Sequence, residues 1–98
     1  MSNLITNNQA SIDSVETDLV RDVLTSCCAV ANTKNTSRYS TSPRKGKTLH
    51  VFKIQSSDAN IAACASAIEQ LKHHGAEGWE MFQGTSKTGN VVGIKKIS

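Results

Sequence analysis

The sequence predicts an α+β fold, in which an N-terminal amphipathic helix precedes a β-α-β-β unit whose helix packs on a small antiparallel sheet. Three observations carry that expectation. Apolar residues between positions 12 and 24 recur at three- and four-residue steps. A β-branched and aromatic run at 48–55 leads into an alanine-rich helical pattern that stops at Gly75. Beyond Gly78 and Trp79, two short apolar runs flank a polar turn at 85–90.

The first element begins near Ala10. Ile12, Val15, Leu19, Val20, Val23 and Leu24 fall on one helical stripe, while Asp13, Glu16, Asp18 and Asp22 lie mostly on other faces. Ser11 is the expected N-cap, and the early acids suit the positive end of the helix dipole. From Thr25 to Ala31 the chain either continues the helix or turns into a short strand. Ser, Thr and Val weaken helical preference there, and Ala argues against strand. The N-terminal helical segment is thus placed at 1–31.

Residues 32–47 read as a basic loop, rich in Asn, Thr, Ser, Lys and Arg, without a helical or an alternating apolar period. A loop this long in so small a domain is typically functional or disordered.

The β-α-β-β unit fills 48–98. Its first strand, Thr48 to Gln55, turns Leu49 and Val51 to one face and Phe52 and Ile54 to the other. A strand apolar on both sides asks for cover on both. The following helix is assigned to one side, and the N-terminal helix or a neighbouring subunit to the other. Ser57 or Asp58 caps that helix, which runs to His74 with Ile61, Cys64, Ala65, Ile68 and Leu71 as its buried stripe. Gly75 ends it as a left-handed residue, and Gly78 frees the chain before Trp79. Residues 79–83 form the next strand, with Trp79 and Met81 toward the helix. Residues 85–90 turn the hairpin, and the last strand places Val92 and Ile94 on one face.

The run Leu71-Lys-His-His-Gly-Ala-Glu-Gly-Trp-Glu-Met, with a hairpin and the ending Val91-Val-Gly-Ile-Lys-Lys, resembles a small bacterial and phage domain-of-unknown-function family. The resemblance covers residues 48–97 and is most specific from Gly75 to Glu80. Met81 replaces the family's usual aliphatic residue, and Lys95-Lys96 stands where Lys-Arg is common. What the resemblance implies is a helix packed across a small antiparallel sheet, and it implies no chemistry. The glycine-flanked tryptophan corner reads as scaffold, with Glu77 or Glu80 satisfying a backbone or cationic neighbour.

At 98 residues the chain makes one domain. Folding at this size buries only about 60% of the unfolded surface, so a homo-oligomer is the expected supplement to stability. No apolar run approaches the roughly 20 residues of a membrane span, and the polar start lacks the pattern of a signal peptide, which predicts a cytoplasmic protein. Cys27, Cys28 and Cys64 read as reduced, buried thiols.

Charge carries the candidate chemistry. His73 and His74 point to different sides of a helix end and lack partners at zinc spacing, His50 reads as a lone surface imidazole, and no glycine-rich phosphate motif precedes a helix. The expectation is no enzyme, no cofactor and no metal. The net charge of +3 conceals a segregation: residues 23–57 hold Lys34, Arg38, Arg44, Lys45, Lys47 and Lys53 with no acid at all. Arg38, Arg44, Lys45 and Lys47 offer forks and point charges for phosphate, and Tyr39 offers a ring for stacking.

These residues are the expected ligand site of a non-enzymatic, homo-oligomeric binder of a small phosphate-bearing ligand or nucleotide. Small phage proteins that sequester nucleotide immune signals, as an anti-defence device, are an analogy in size and in binding without cleaving. A nucleic-acid-binding or regulatory accessory protein is the first alternative. A protein-interaction module that docks its acidic N-terminal helix is the second.

Overall fold

The structure is a computed structural model and describes residues 14–98. The expected helix start at Ala10, the Ser11 cap, Ile12 and Asp13 lie outside those residues. The elements are α1 (Ser14–Val30), β1 (Arg38–Arg44), β2 (Lys47–Gln55), α2 (Asp58–His73), β3 (Glu80–Ser86) and β4 (Gly89–Ile97). The four strands form one sheet in the order β1-β2-β4-β3, and all neighbours are antiparallel. Because β2 and β3 both pair with β4, they run parallel to each other, with α2 as their connection.

Helix α1 continues through the stretch that the sequence left open between helix and strand. Its buried residues Thr17, Val20, Val23, Leu24, Cys27 and Cys28 keep one stripe to the end. Asn32 then takes a left-handed φ of 61°. The Asn32 N–H donates to Ala29 O and the Thr33 N–H to Cys28 O, at 3.0 and 2.9 Å, which is a Schellman ending with Asn in the glycine position. Helix α2 ends the same way at Gly75, whose φ is 79°, with Gly75 N–H donating to Lys72 O and Ala76 N–H to Leu71 O. Ala76 and Leu71 are both buried, so the polar ending is backed by an apolar contact.

Both helices lie on the same face of the sheet, which corrects the expectation that α1 or a second subunit covers the far side. Val20, Leu24 and Cys28 of α1 share one core with Cys64 and Leu71 of α2, Phe52 and Ile54 of β2, and Val92 and Ile94 of β4. The reason is the width of α1's apolar stripe, which serves α2 and the sheet at once. Helix α2 lies over β4 and β3. Beside it, α1 reaches β2, where the Arg21 guanidinium sits 5.6 Å from the centre of the Phe52 ring.

The buried stripe of α2 is Asn60, Ala63, Cys64, Ala67 and Leu71. Ala65 is exposed, one residue round the helix from Cys64, while Ile61 and Ile68 pack at the core's margin. Asn60 is the polar member, and every part of it is used. Its amide nitrogen Nδ2 donates to Gln55 O at 2.7 Å, its Oδ1 accepts from Thr33 Oγ1 at 3.0 Å, and its backbone N–H donates to the capping Ser57 Oγ at 3.1 Å. One side chain thereby ties the end of β2 and the exit of α1 to the start of α2.

The segment expected as a basic loop contains β1. Arg38 to Arg44 pair in register with Lys53 to Lys47, from Arg38 opposite Lys53 to Arg44 opposite Lys47. The connection is a two-residue turn in which Lys45 and Gly46 both have positive φ, 49° and 82°, the requirement of a type I′ hairpin. The strand shows no apolar alternation because it is a sheet edge, exposed along almost its whole length.

Candidate functional site

With both helices on one side, the opposite face of the sheet is open among the described residues, and register fixes what it displays. Since side chains alternate, this face carries Arg38, Ser40, Ser42 and Arg44 of β1, then Lys47, Leu49, Val51, Lys53 and Gln55 of β2. From β4 it carries Val91, Gly93, Lys95 and Ile97, and from β3 Glu80, Phe82, Gly84 and Ser86. Glu80 is its one acid.

Two like-charge pairs stand directly across β1 and β2, Arg38 with Lys53 and Arg44 with Lys47. Such pairs disfavour the hairpin that brings them together. Among the described residues the ion pairs are Arg21–Asp18, Lys72–Glu69 and Lys96–Glu16, and none of them uses a cation of this face.

At one end of the face the sheet surface and the β3–β4 turn enclose a shallow hollow of about 450 Å³. Arg38, Lys53 and Lys87 supply its charge, Thr36, Gln55, Ser86 and Thr88 supply hydroxyl and amide groups, and among the described residues no acid lines it. Its hairpin wall is shaped by Ser86, whose Oγ donates to Gly89 O and accepts from the Thr88 N–H at 3.1 and 3.3 Å.

The residues expected to share one ligand are therefore divided. Arg38 lies in the hollow. Arg44 and Lys47 lie on the same face but at the other end of the hairpin, with Lys45 in the turn. Six residues of strand separate Arg38 from Arg44, about 20 Å. Tyr39, next to Arg38 in a strand, points to the helix side. Its ring packs against Phe52 at 4.8 Å and against His50 at 6.2 Å between centres, and its hydroxyl is bonded to His50 Nδ1 at 2.8 Å. Lys53, Lys87 and the hydroxyl groups around them enter the site through strand pairing, which no local motif announces.

The helix side holds the second constellation. His50 is buried at 4% exposure, not a surface imidazole, because it shares the inward face of β2 with Phe52 and Ile54. Its Nε2 is bonded to Ser98 Oγ at 3.0 Å and its Nδ1 to the Tyr39 hydroxyl. Burial holds the imidazole below its usual pKa, an effect that Glu16 opposes and Lys96 reinforces. Burial likewise raises the Tyr39 hydroxyl, against the pull of Arg21.

Ser98, His50 and Tyr39 have the outline of nucleophile, base and orienting group. Yet the third member is a neutral phenol, a lysine stands beside the base, and the Ser98 N–H is spent on Thr48 O at 3.0 Å. The trio acts as a latch that fastens Ser98 and the edge strand to β2. Beside it, Glu16 Oε2 accepts from Trp79 Nε1 and from Lys96 Nζ, both at 2.9 Å. The acid that holds the tryptophan corner thus comes from α1, and Glu77 and Glu80 are exposed.

The three cysteines are free and buried, as expected. Burial raises all three thiols, Cys64 to about 11 with Cys28 and Cys27 adding to the effect, so thiolate chemistry is suppressed. Among the described residues no group of three or more His, Cys, Asp and Glu could hold a metal, and no helix is long and apolar enough to cross a membrane. No family model matches the chain, and neither a curated protein nor a solved structure matches it.

Proposed function

We propose that this chain is a non-enzymatic binding protein for a small phosphate-bearing ligand, held on the open face of the sheet. The observation that carries the reading is the hollow at Arg38, Lys53 and Lys87: three cations, four neutral polar side chains and no acid. Arg38 supplies a planar fork and the two lysines supply point charges, while hydroxyl groups complete a phosphate's hydrogen bonds. An anion there also relieves the repulsion between Arg38 and Lys53, so folding and binding favour each other.

The ligand site moves accordingly. Arg38 stays in it, Tyr39 leaves it, and Arg44, Lys45 and Lys47 form a separate basic end. A thermal-shift panel of inorganic phosphate, pyrophosphate, tripolyphosphate and linear and cyclic nucleotides tests the reading. A ligand at 100 times its dissociation constant stabilises the fold by about 2.7 kcal/mol, a rise in melting temperature of roughly 10–20 °C for a domain of this size. Absence of any shift across the panel refutes it.

A second reading rests on the distal cations. If Arg44, Lys45 and Lys47 act together with the hollow, the ligand is an extended polyanion, and single-stranded nucleic acid is the natural choice. Its binding then falls with salt by about 0.7 log units per neutralised phosphate per log unit of salt.

We further propose self-association through the outer surface of α1. Leu19, Val23, Cys27 and Val30 line a groove of about 510 Å³ beside α2, and Val30 is 90% exposed. That surface is remote from the open sheet face, so an oligomer built on it keeps the hollow accessible.

A further inference from the structure

The open face carries one aromatic ring, and a glycine determines where it lies. Phe82 and Gly93 are direct partners across β3 and β4. A Cβ on Gly93 would stand 2.9 Å from Phe82 Cε2 and 3.0 Å from Cζ, and 2.1 Å from Phe52 O. The far edge of the ring therefore leans across β4 into the space that a side chain would fill. Phe82 is partly exposed there, on the side that neither helix covers.

One row crosses the sheet at this level, Phe82, Gly93, Lys53 and Arg38 on β3, β4, β2 and β1. Strands stand about 4.8 Å apart, and the ring already leans one strand over. An aromatic surface is thus followed, a strand or two along the same row, by the two cations of the hollow. The Lys95 ammonium rests over the ring at 5.7 Å from its centre. That contact is a partly exposed cation–π pair, of a strength that the stacking of a nucleobase on an aromatic side chain matches or exceeds. A base that takes its place releases a flexible lysine toward the phosphate it carries.

We infer that the ligand is a nucleotide bound across the strands, with its base stacked on Phe82 and its phosphates over Lys53 and Arg38. The inference rests on the phosphate reading above and adds the base to it. The row gives the ligand a direction, base toward β3 and phosphate toward β1, and Gly93 leaves room for the ring, since a Cβ there would crowd it as well as the Phe52 carbonyl oxygen.

The test compares the four nucleoside triphosphates with inorganic tripolyphosphate, in the presence of a chelator, on the full chain and on Phe82→Leu and Phe82→Trp. The expected result is that at least one nucleotide binds about fivefold or more tightly than tripolyphosphate. Phe82→Leu should bring that nucleotide down to the tripolyphosphate level without changing tripolyphosphate itself, and Phe82→Trp should keep or widen the gap. Should the leucine variant fail to fold, the tryptophan variant alone carries the test, and a gap that vanishes with tryptophan overturns the inference. Equal binding of nucleotides and tripolyphosphate by the unaltered chain overturns stacking and leaves the phosphate site standing. Binding of neither ligand class removes the phosphate site, and the stacking with it.

Discussion

At the scale of single residues, the informative positions are those where a polar group stands in an apolar pattern. His50 occupies a core position of β2, and nothing local distinguishes it from a surface imidazole, because its partners Tyr39 and Ser98 arrive from other strands. Its burial has a measurable consequence. The folded ring binds a proton less readily than the usual value of 6.5, so on acidification the unfolded chain protonates first. The latch's contribution is whole above that pH and declines below it, by at most about 1.4 kcal/mol per pH unit for one proton. Denaturant unfolding between pH 5 and 8 should show the parent chain losing stability relative to His50→Gln as the pH falls. Parallel curves for the two proteins would mean that the ring titrates as it does in the unfolded chain. Asn60 and Gly93 teach the same lesson: each is legible only as an oddity, a polar residue in a helical stripe and a glycine in a strand, until pairing shows what it touches.

At the scale of elements, α2 and the two C-terminal strands were legible because each is amphipathic and bounded by glycine. The cap at Ser57 or Asp58, which the structure places on Ser57, the left-handed Gly75 and the inward Val92 and Ile94 follow from spacing. Strand β1 was not legible. An edge strand that buries almost nothing has no need of apolar alternation, and Lys45-Gly46 is a less familiar I′ turn than Asn-Gly. The same blindness scattered the ligand site, since cations that look contiguous along residues 38–47 belong to two ends of a hairpin, and Tyr39 between them turns to its other face. The hairpin also carries a conflict between stability and binding. Arg38→Glu replaces a like-charge pair opposite Lys53 with an attractive one, so the variant should be more stable by about 0.2–1 kcal/mol while losing anion binding. Chemical denaturation and the thermal-shift panel report the two effects separately, and a variant that is less stable and binds unchanged would show that the pair is neither frustrated nor functional.

At the scale of the whole molecule, two helices cover one side of a four-stranded sheet, which sorts the surface into an acidic helical side and a basic sheet side. Glu16 in its bridge to Lys96 joins α1 to β4, so the N-terminal helix is part of the fold's cohesion as well as of its surface. For the proposed self-association, Val30→Asp should return the protein to monomer mass in light scattering with the unfolding midpoint of the monomer unchanged. A mass unaltered by the substitution would place any assembly elsewhere. Phosphate binding at the Arg38 end of the open face is tested most directly by a titration with pyrophosphate followed by amide chemical shifts of the whole chain. Shifts concentrated at Thr36, Arg38, Lys53, Gln55 and 86–88 are the predicted result. Shifts confined to residues 44–47, or spread evenly over the helices, would contradict it.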